Sequence, residues 1–81
     1  MIRFYQVCYF GILAERRGHA EEQIRHDATT PAELYQDLNT RFSLGLAAED
    51  IRAAVNDEFA SWSHPLKDGD RIAFLPPMSG G

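Results

Sequence analysis

Thr30-Pro31-Ala32-Glu33-Leu34-Tyr35-Gln36-Asp37-Leu38-Asn39-Thr40-Arg41-Phe42 is the stretch that organises the whole chain. Thr30 can cap a helix through its hydroxyl, Pro31 suits the first helical position, and Glu33 closes a capping box. Leu34, Leu38 and Phe42 then recur every fourth residue, with Tyr35 beside them, so one apolar stripe faces a core. Gly45 is the expected stop, because glycine accepts the left-handed backbone that ends helices. Everything on either side of this helix reads as strand or turn.

Residues 2–10 (IRFYQVCYF) are aromatic and β-branched and predict a strand. Ile2, Phe4, Cys8 and Phe10 share one face, and Tyr5, Val7 and Tyr9 the other. Both faces are apolar, which fits a central strand or one whose second face meets a partner. Residues 11–18 (GILAERRG) predict a short helical turn ending at Gly18, and residues 20–27 an exposed strand. Beyond the helix, residues 46–50 are ambiguous between a helical turn and a loop. Ile51–Val55 and Phe59–Trp62 read as two strands around an Asn56-Asp57 turn. Residues 64–70 form a loop with an Asp-Gly turn. Arg71–Leu75 is the last strand, stopped by Pro76-Pro77. One long helix crossing between strands of a mixed four- to five-stranded sheet is an α+β roll. A β-grasp arrangement, as in ubiquitin, satisfies this order.

Composition narrows the function classes. Eighty-one residues make one small domain, and 44% hydrophobic residues allow a thin core. The formal charge is -4, and it falls entirely within residues 28–58, which argues against a nucleic-acid partner. A lone cysteine, Cys8, excludes an intrachain disulfide framework and a Cys-rich metal site, and fits a reducing, cytoplasmic setting. No segment approaches the ~18 apolar residues of a membrane span, and the N-terminus has no basic region ahead of its apolar run, so it is read as structure rather than as a signal peptide. There are no repeats, linkers or low-complexity segments.

Most polar side chains have bland readings. Cys8 sits among apolar neighbours and reads as an inert buried thiol. His19, His26 and His64 lack metal-ligand spacing. Asp68 and Asp70 flank Gly69 as turn formers, and His64 orders the same loop. Trp62 reads as core or sheet-face packing. Glu49, Asp50, Asp57 and Glu58 read as solvated surface, the alternative being a match to a basic face on an activating enzyme. The informative feature is Gly80-Gly81. Two residues without Cβ make a tail thin enough to thread a narrow channel, ending in a carboxylate that reacts only once activated, for example as an acyl-adenylate. Pro76-Pro77 offers no backbone donors and projects this tail away from the sheet. The expected organisation is a folded domain over residues 1–77 and a flexible tail over 78–81.

The set Ala54-Val55-Asn56, His64-Pro65-Leu66, Asp68-Gly69-Asp70, Ile72-Ala73-Phe74, Pro76-Pro77 and Gly80-Gly81 resembles the small subunit of molybdopterin synthase. The match is close over about the last 30 residues, and the rest agrees in length and element order. The resemblance implies a ubiquitin-like β-grasp fold and a sulfur carrier that is not catalytic alone and binds no cofactor. It implies that an E1-like adenylyltransferase spends ATP on Gly81 and that a sulfur donor protein converts it to a thiocarboxylate. The tail then enters the large subunit, where its sulfur attacks cyclic pyranopterin monophosphate to build the molybdopterin dithiolene. Gly81 carries the reactive atom and Gly80 gives it clearance. Two small subunits flank a dimer of large ones in a heterotetramer. Phe10, Phe59, Phe74 and Leu75, with Pro76 and Pro77, are candidates for the partner surface by their position near strand ends or on the last strand, the alternative being that some are core; Phe10 and Phe59 fall where the family tends to place interface apolar residues. The family often carries a basic residue in the turn after the first strand; Ala14 stands there, with Arg16 and Arg17 close by. Carriers for thiamin thiazole synthesis and ubiquitin-like modifiers share this tail, and a plain β-grasp binding module would not use it.

Overall fold

The computed structural model describes residues 1–77. The expected tail, residues 78–81 with Gly80 and Gly81, lies outside the described residues. The elements are β1 (Arg3–Tyr9), α1 (Ile12–Arg17), β2 (Glu21–His26), α2 (Pro31–Phe42), a 3-10 turn (Ala48–Asp50), β3 (Arg52–Val55), β4 (Glu58–Ala60) and β5 (Arg71–Leu75). They form one five-stranded sheet in the order β2-β1-β5-β3-β4. β1 and β5 pair parallel, and the other pairs are antiparallel. α2 packs across one face. This is the β-grasp order expected from the sequence.

The inner face of the sheet and the apolar stripe of α2 build the core. Tyr5, Val7, Leu13, Leu34, Leu38, Leu44, Ile72 and Phe74 are fully buried. Tyr35 packs against Phe74 at 5.1 Å between ring centroids and against Trp62 at 5.8 Å. Phe74 is therefore core and not part of a partner surface. It shares parity with Ile72, and that parity points at α2, while Arg71, Ala73 and Leu75 point away. Trp62 lies beyond β4, which ends at Ala60 rather than at the expected residue 62. Its ring stacks on Phe74 at 6.1 Å, a contact made from the loop.

The helix starts as read and ends early. Thr30 Oγ1 accepts from the Glu33 N–H at 3.2 Å. The return arm of the capping box is shifted by one residue, because Glu33 Oε1 accepts from the Thr29 N–H at 2.7 Å and not from Thr30. The Glu33 carboxyl is held below its usual range by that backbone bond first. The helix stops at Ser43, which takes the left-handed conformation (φ 53°), and not at Gly45. Two side chains explain the difference. Asn39 Oδ1 accepts from the Gly45 N–H at 2.8 Å, and a Cβ at Gly45 would collide with Arg16. Gly45 makes room for a neighbour instead of ending the helix. Asn56 and Asp57, at φ 52° and 72°, form the expected tight hairpin turn, with both central residues in the left-handed region.

Candidate functional site on the outer face of the sheet

Register sets what the outer face displays. Cys8 lies beside Glu21 on β2 and Ala73 on β5, Ala73 beside Ala54 on β3, and Ala54 beside Phe59 on β4. A row of small residues thus crosses the middle of the sheet and ends in an aromatic ring. Period-two alternation puts Phe10 and Leu75 on the same face, beyond Cys8 and Ala73. The alanines form a floor and the larger side chains a rim. The result is a depression of about 210 Å³ lined by Phe10, Ala54, Asp57, Phe59, Ala73 and Leu75. Phe10 is 49% and Phe59 67% exposed, an unusual cost for large apolar side chains clustered on one small domain.

The chain passes from β5 toward its C-terminus at this rim. Pro76 is half-buried and Pro77 exposed. Pro76 Cγ lies so near Gly11 that a Cβ there would stand 3.1 Å away, and Gly11 holds φ +57°, a conformation that disfavours side chains. The turn after β1 thereby seats the first residue beyond β5. Phe10, Phe59, Leu75 and Pro76 come together as one surface, and Phe74 is excluded from it by burial.

Beside the apolar depression lies a more polar one, lined by Cys8, Phe10, Glu21, Asp57, Arg71 and Ala73, among others. Arg71 reaches Asp57 only at 3.9 Å. Arg52 lies over the Phe59 ring at 4.9 Å. Sequence reading missed both arginines, although the alternation Arg71, Ala73, Leu75 carried the signal. Cys8 is buried, with Sγ 3.9 Å from Glu21 Oε2, as an inert thiol should be.

The other candidates resolve into structural roles. Ala14 is half-buried on α1, and neither neighbouring arginine is free for a partner. Arg16 donates to the Leu44 carbonyl at 2.8 Å. Arg17 makes two 2.7 Å bonds to Glu22 and lies 3.7 Å over the Phe42 ring. Tyr9 donates to Glu22 Oε2 at 2.8 Å. Burial pushes the Glu22 carboxyl up, but the bonds from Arg17 and Tyr9 outweigh it and hold it below the usual range. Burial, reinforced by Glu22, drives the Tyr9 hydroxyl well above its ordinary value. Asp68 accepts from the Phe4 N–H at 2.6 Å, and Asp70 accepts from the Lys67 N–H and the Asn56 amide. Both are turn formers. His26 meets Asp37 at 2.7 Å, and no group of three metal-ligating side chains occurs among the described residues. Glu49, Asp50, Asp57 and Glu58 are exposed, as expected of solvated surface.

The ThiS family pattern matches residues 7–81. The chain belongs to the ThiS family. Among curated ThiS-like relatives, the molybdopterin synthase sulfur carrier subunit of Escherichia coli is 35% identical over 79 residues, covering 94% of this chain and 98% of that protein. Among solved structures, the complex of subunits 1 and 2 of molybdopterin-converting factor from Helicobacter pylori contains a chain 32% identical, with a TM-score of 0.64 over 96% of this chain and 99% of that one. Small archaeal modifier protein 1 from Methanosarcina acetivorans shares the fold, at a TM-score of 0.81 and 21% identity over 100% and 99% of the two chains. The resemblance drawn from the last 30 residues is borne out, and so is the ubiquitin-like β-grasp.

Proposed function

We propose that this chain is the sulfur-carrier subunit of a molybdopterin synthase, working in the cytoplasm and not catalytic alone. The observation that carries the reading is the apolar depression ringed by Phe10, Phe59 and Leu75, placed where β5 hands the chain on toward Gly80-Gly81. A protein that only had to stay folded would gain nothing from exposing these side chains. One that must hold a partner while presenting its C-terminus needs them there.

The chemistry follows from a terminal carboxylate. An E1-like enzyme adenylates Gly81 with ATP, and pyrophosphate leaves. A sulfur donor protein supplies sulfur as AMP departs, leaving a thiocarboxylate. That group is anionic at neutral pH, so the carrier needs no neighbouring base to make its nucleophile. The tail enters the large subunit, sulfur passes to cyclic pyranopterin monophosphate, and water releases Gly81 as a carboxylate again. Gly80 keeps the approach narrow. General acids, bases and the pterin pocket belong to the large subunit. Two carriers would flank a large-subunit dimer.

Native co-purification with an untagged C-terminus tests this directly. The expected result is a stoichiometric large subunit, and a carrier fraction whose intact mass shows one oxygen replaced by sulfur. Recovery of a thiazole synthase would move the carrier to a different acceptor. A ladder of lysine-linked conjugates would make it a protein modifier.

A further inference from the structure

The arginines of this chain divide into two groups. Arg16 and Arg17 are tied to Leu44 and Glu22, and Arg41 to Asp37 at 3.3 Å. Arg3 points to the Ala28 carbonyl, and Arg25 lies over Phe4, away from the depression. Arg71 and Arg52 are different. Arg71 is half-exposed, and among the described residues its guanidinium has one carboxylate contact, Asp57, itself 82% exposed, at the 3.9 Å limit. Among the described residues Arg52 has no carboxylate partner and rests on the Phe59 ring.

Their placement is specific. Arg71 lies two residues before Ala73 on β5, and Arg52 pairs in register with Leu75 at the other end of the depression. The strand rise sets their backbone positions about 13 Å apart along the sheet, with the apolar floor between them. The chain carries a net charge of -4, yet two of the three loosely held arginines of its outer face bracket its apolar depression; the third, Arg25, sits with Phe4 on the β2 side.

We infer that Arg71 and Arg52 are the ionic anchors that orient this face on the large subunit, whose matching surface presents carboxylates at both ends of an apolar ridge. The inference rests on the proposed carrier function and adds the chemistry of the partner surface. A partner that covers the depression removes water from both guanidinium groups. Covering them without an opposing carboxylate would oppose binding, and the exposed, screened Asp57 contact is too loose to serve instead. Two charges at opposite ends also fix rotation about the apolar contact, so that the end of β5 faces the active site. Charge placed this way governs encounter rate and orientation more than bulk affinity.

The test uses the full-length carrier and its purified large subunit. Affinity and association rate are measured across a salt series for Arg71→Glu, Arg52→Glu, Phe59→Asp and Lys67→Glu, the last making the same charge change on the loop before β5. The expected result is that Arg71→Glu and Arg52→Glu each weaken binding on the order of tenfold or more, mainly through slower association, and flatten the salt dependence. Lys67→Glu should leave both unchanged. Arg71→Gln, which keeps the side chain's length, should show a smaller loss in the same direction and covers the case in which the reversal variant folds poorly. If the arginine variants behave like Lys67→Glu while Phe59→Asp abolishes binding, the ionic anchors are wrong and the apolar site stands. If Phe59→Asp also binds normally, the face itself is misread and the anchors fall with it.

Discussion

The two faces of the sheet are built from the same strands and both carry large apolar side chains, yet they behave as different materials. Inward, Tyr5, Val7, Tyr9, Ala53, Val55, Ile72 and Phe74 lie under α2, none more than 6% exposed. Outward, Phe10, Ala54, Phe59, Ala73 and Leu75 meet solvent. Phe74 and Leu75 are adjacent in sequence and take opposite fates. Hydrophobicity alone does not say which face is core; the position of the helix does. The outer face carries what a folded monomer does not require, and that surplus points to a partner.

Several substitutions would break or sharpen this contrast. The largest effect should come from Phe74→Ala, which empties a site packed against Tyr35 and Trp62 and should cost about 3–5 kcal/mol in chemical denaturation. Phe59→Ala removes a ring of similar size from the other face and should change folding stability by only about 0.5 kcal/mol, while weakening the large-subunit complex. Similar stability losses for the two would erase the distinction between the faces.

Glu22→Gln should cost about 1–3 kcal/mol, because the amide keeps one oxygen for Tyr9 and Arg17 Nε but loses the charge and sets an NH2 donor against Arg17 Nη2. The same network predicts an acid limb. The Glu22 carboxyl is depressed in the folded state, as is that of Asp37, where the His26 hydrogen bond is the main cause. The unfolded chain therefore binds more protons in that range, and stability falls as pH drops below the ordinary carboxylate value and through the folded ones. The Tyr9 hydroxyl is raised, so its contribution holds below about pH 10 and declines above it. Urea melts across pH should show both limbs, and Glu22→Gln should flatten the acid one.

On the helix side of the sheet the smallest effect should come from Thr30→Ala. Loss of the helix cap should cost about 1 kcal/mol. Because α2 covers only the inner face, hydrogen exchange should rise in α2 while the carrier's affinity for the large subunit stays unchanged.

Local chemistry made much of this legible. Thr30-Pro31 announced the helix, Asn56-Asp57 the hairpin, and the alternation of β1 its two faces. Two misreadings share one physical cause, which is that tertiary contacts overrode local propensity, and a third is a matter of strand parity. Ser43 ends α2 because Asn39 and Arg16 claim the surroundings of Gly45. Trp62 leaves the strand pattern to stack on Phe74. Phe74 stood as an interface candidate by its place on the last strand, although Arg71 on the Leu75 parity marked that side as solvent-facing. Of the site itself, Phe10, Phe59 and Leu75 were visible as large apolar residues near strand ends. The alanine floor was not, since a depression is made by what its middle residues lack.

The parallel pairing of β1 with β5 has a practical consequence. Both strands run toward the rim where Pro76 sits, so Arg3 starts β1 at the far end of the sheet, about 20 Å from Tyr9 by the rise of a seven-residue strand, with Met1 beyond it. Polypeptide fused ahead of Met1, or a surface coupled there, stands clear of both the apolar depression and Pro76. The molecule can be immobilised, labelled or displayed by that end without masking the surface at the other.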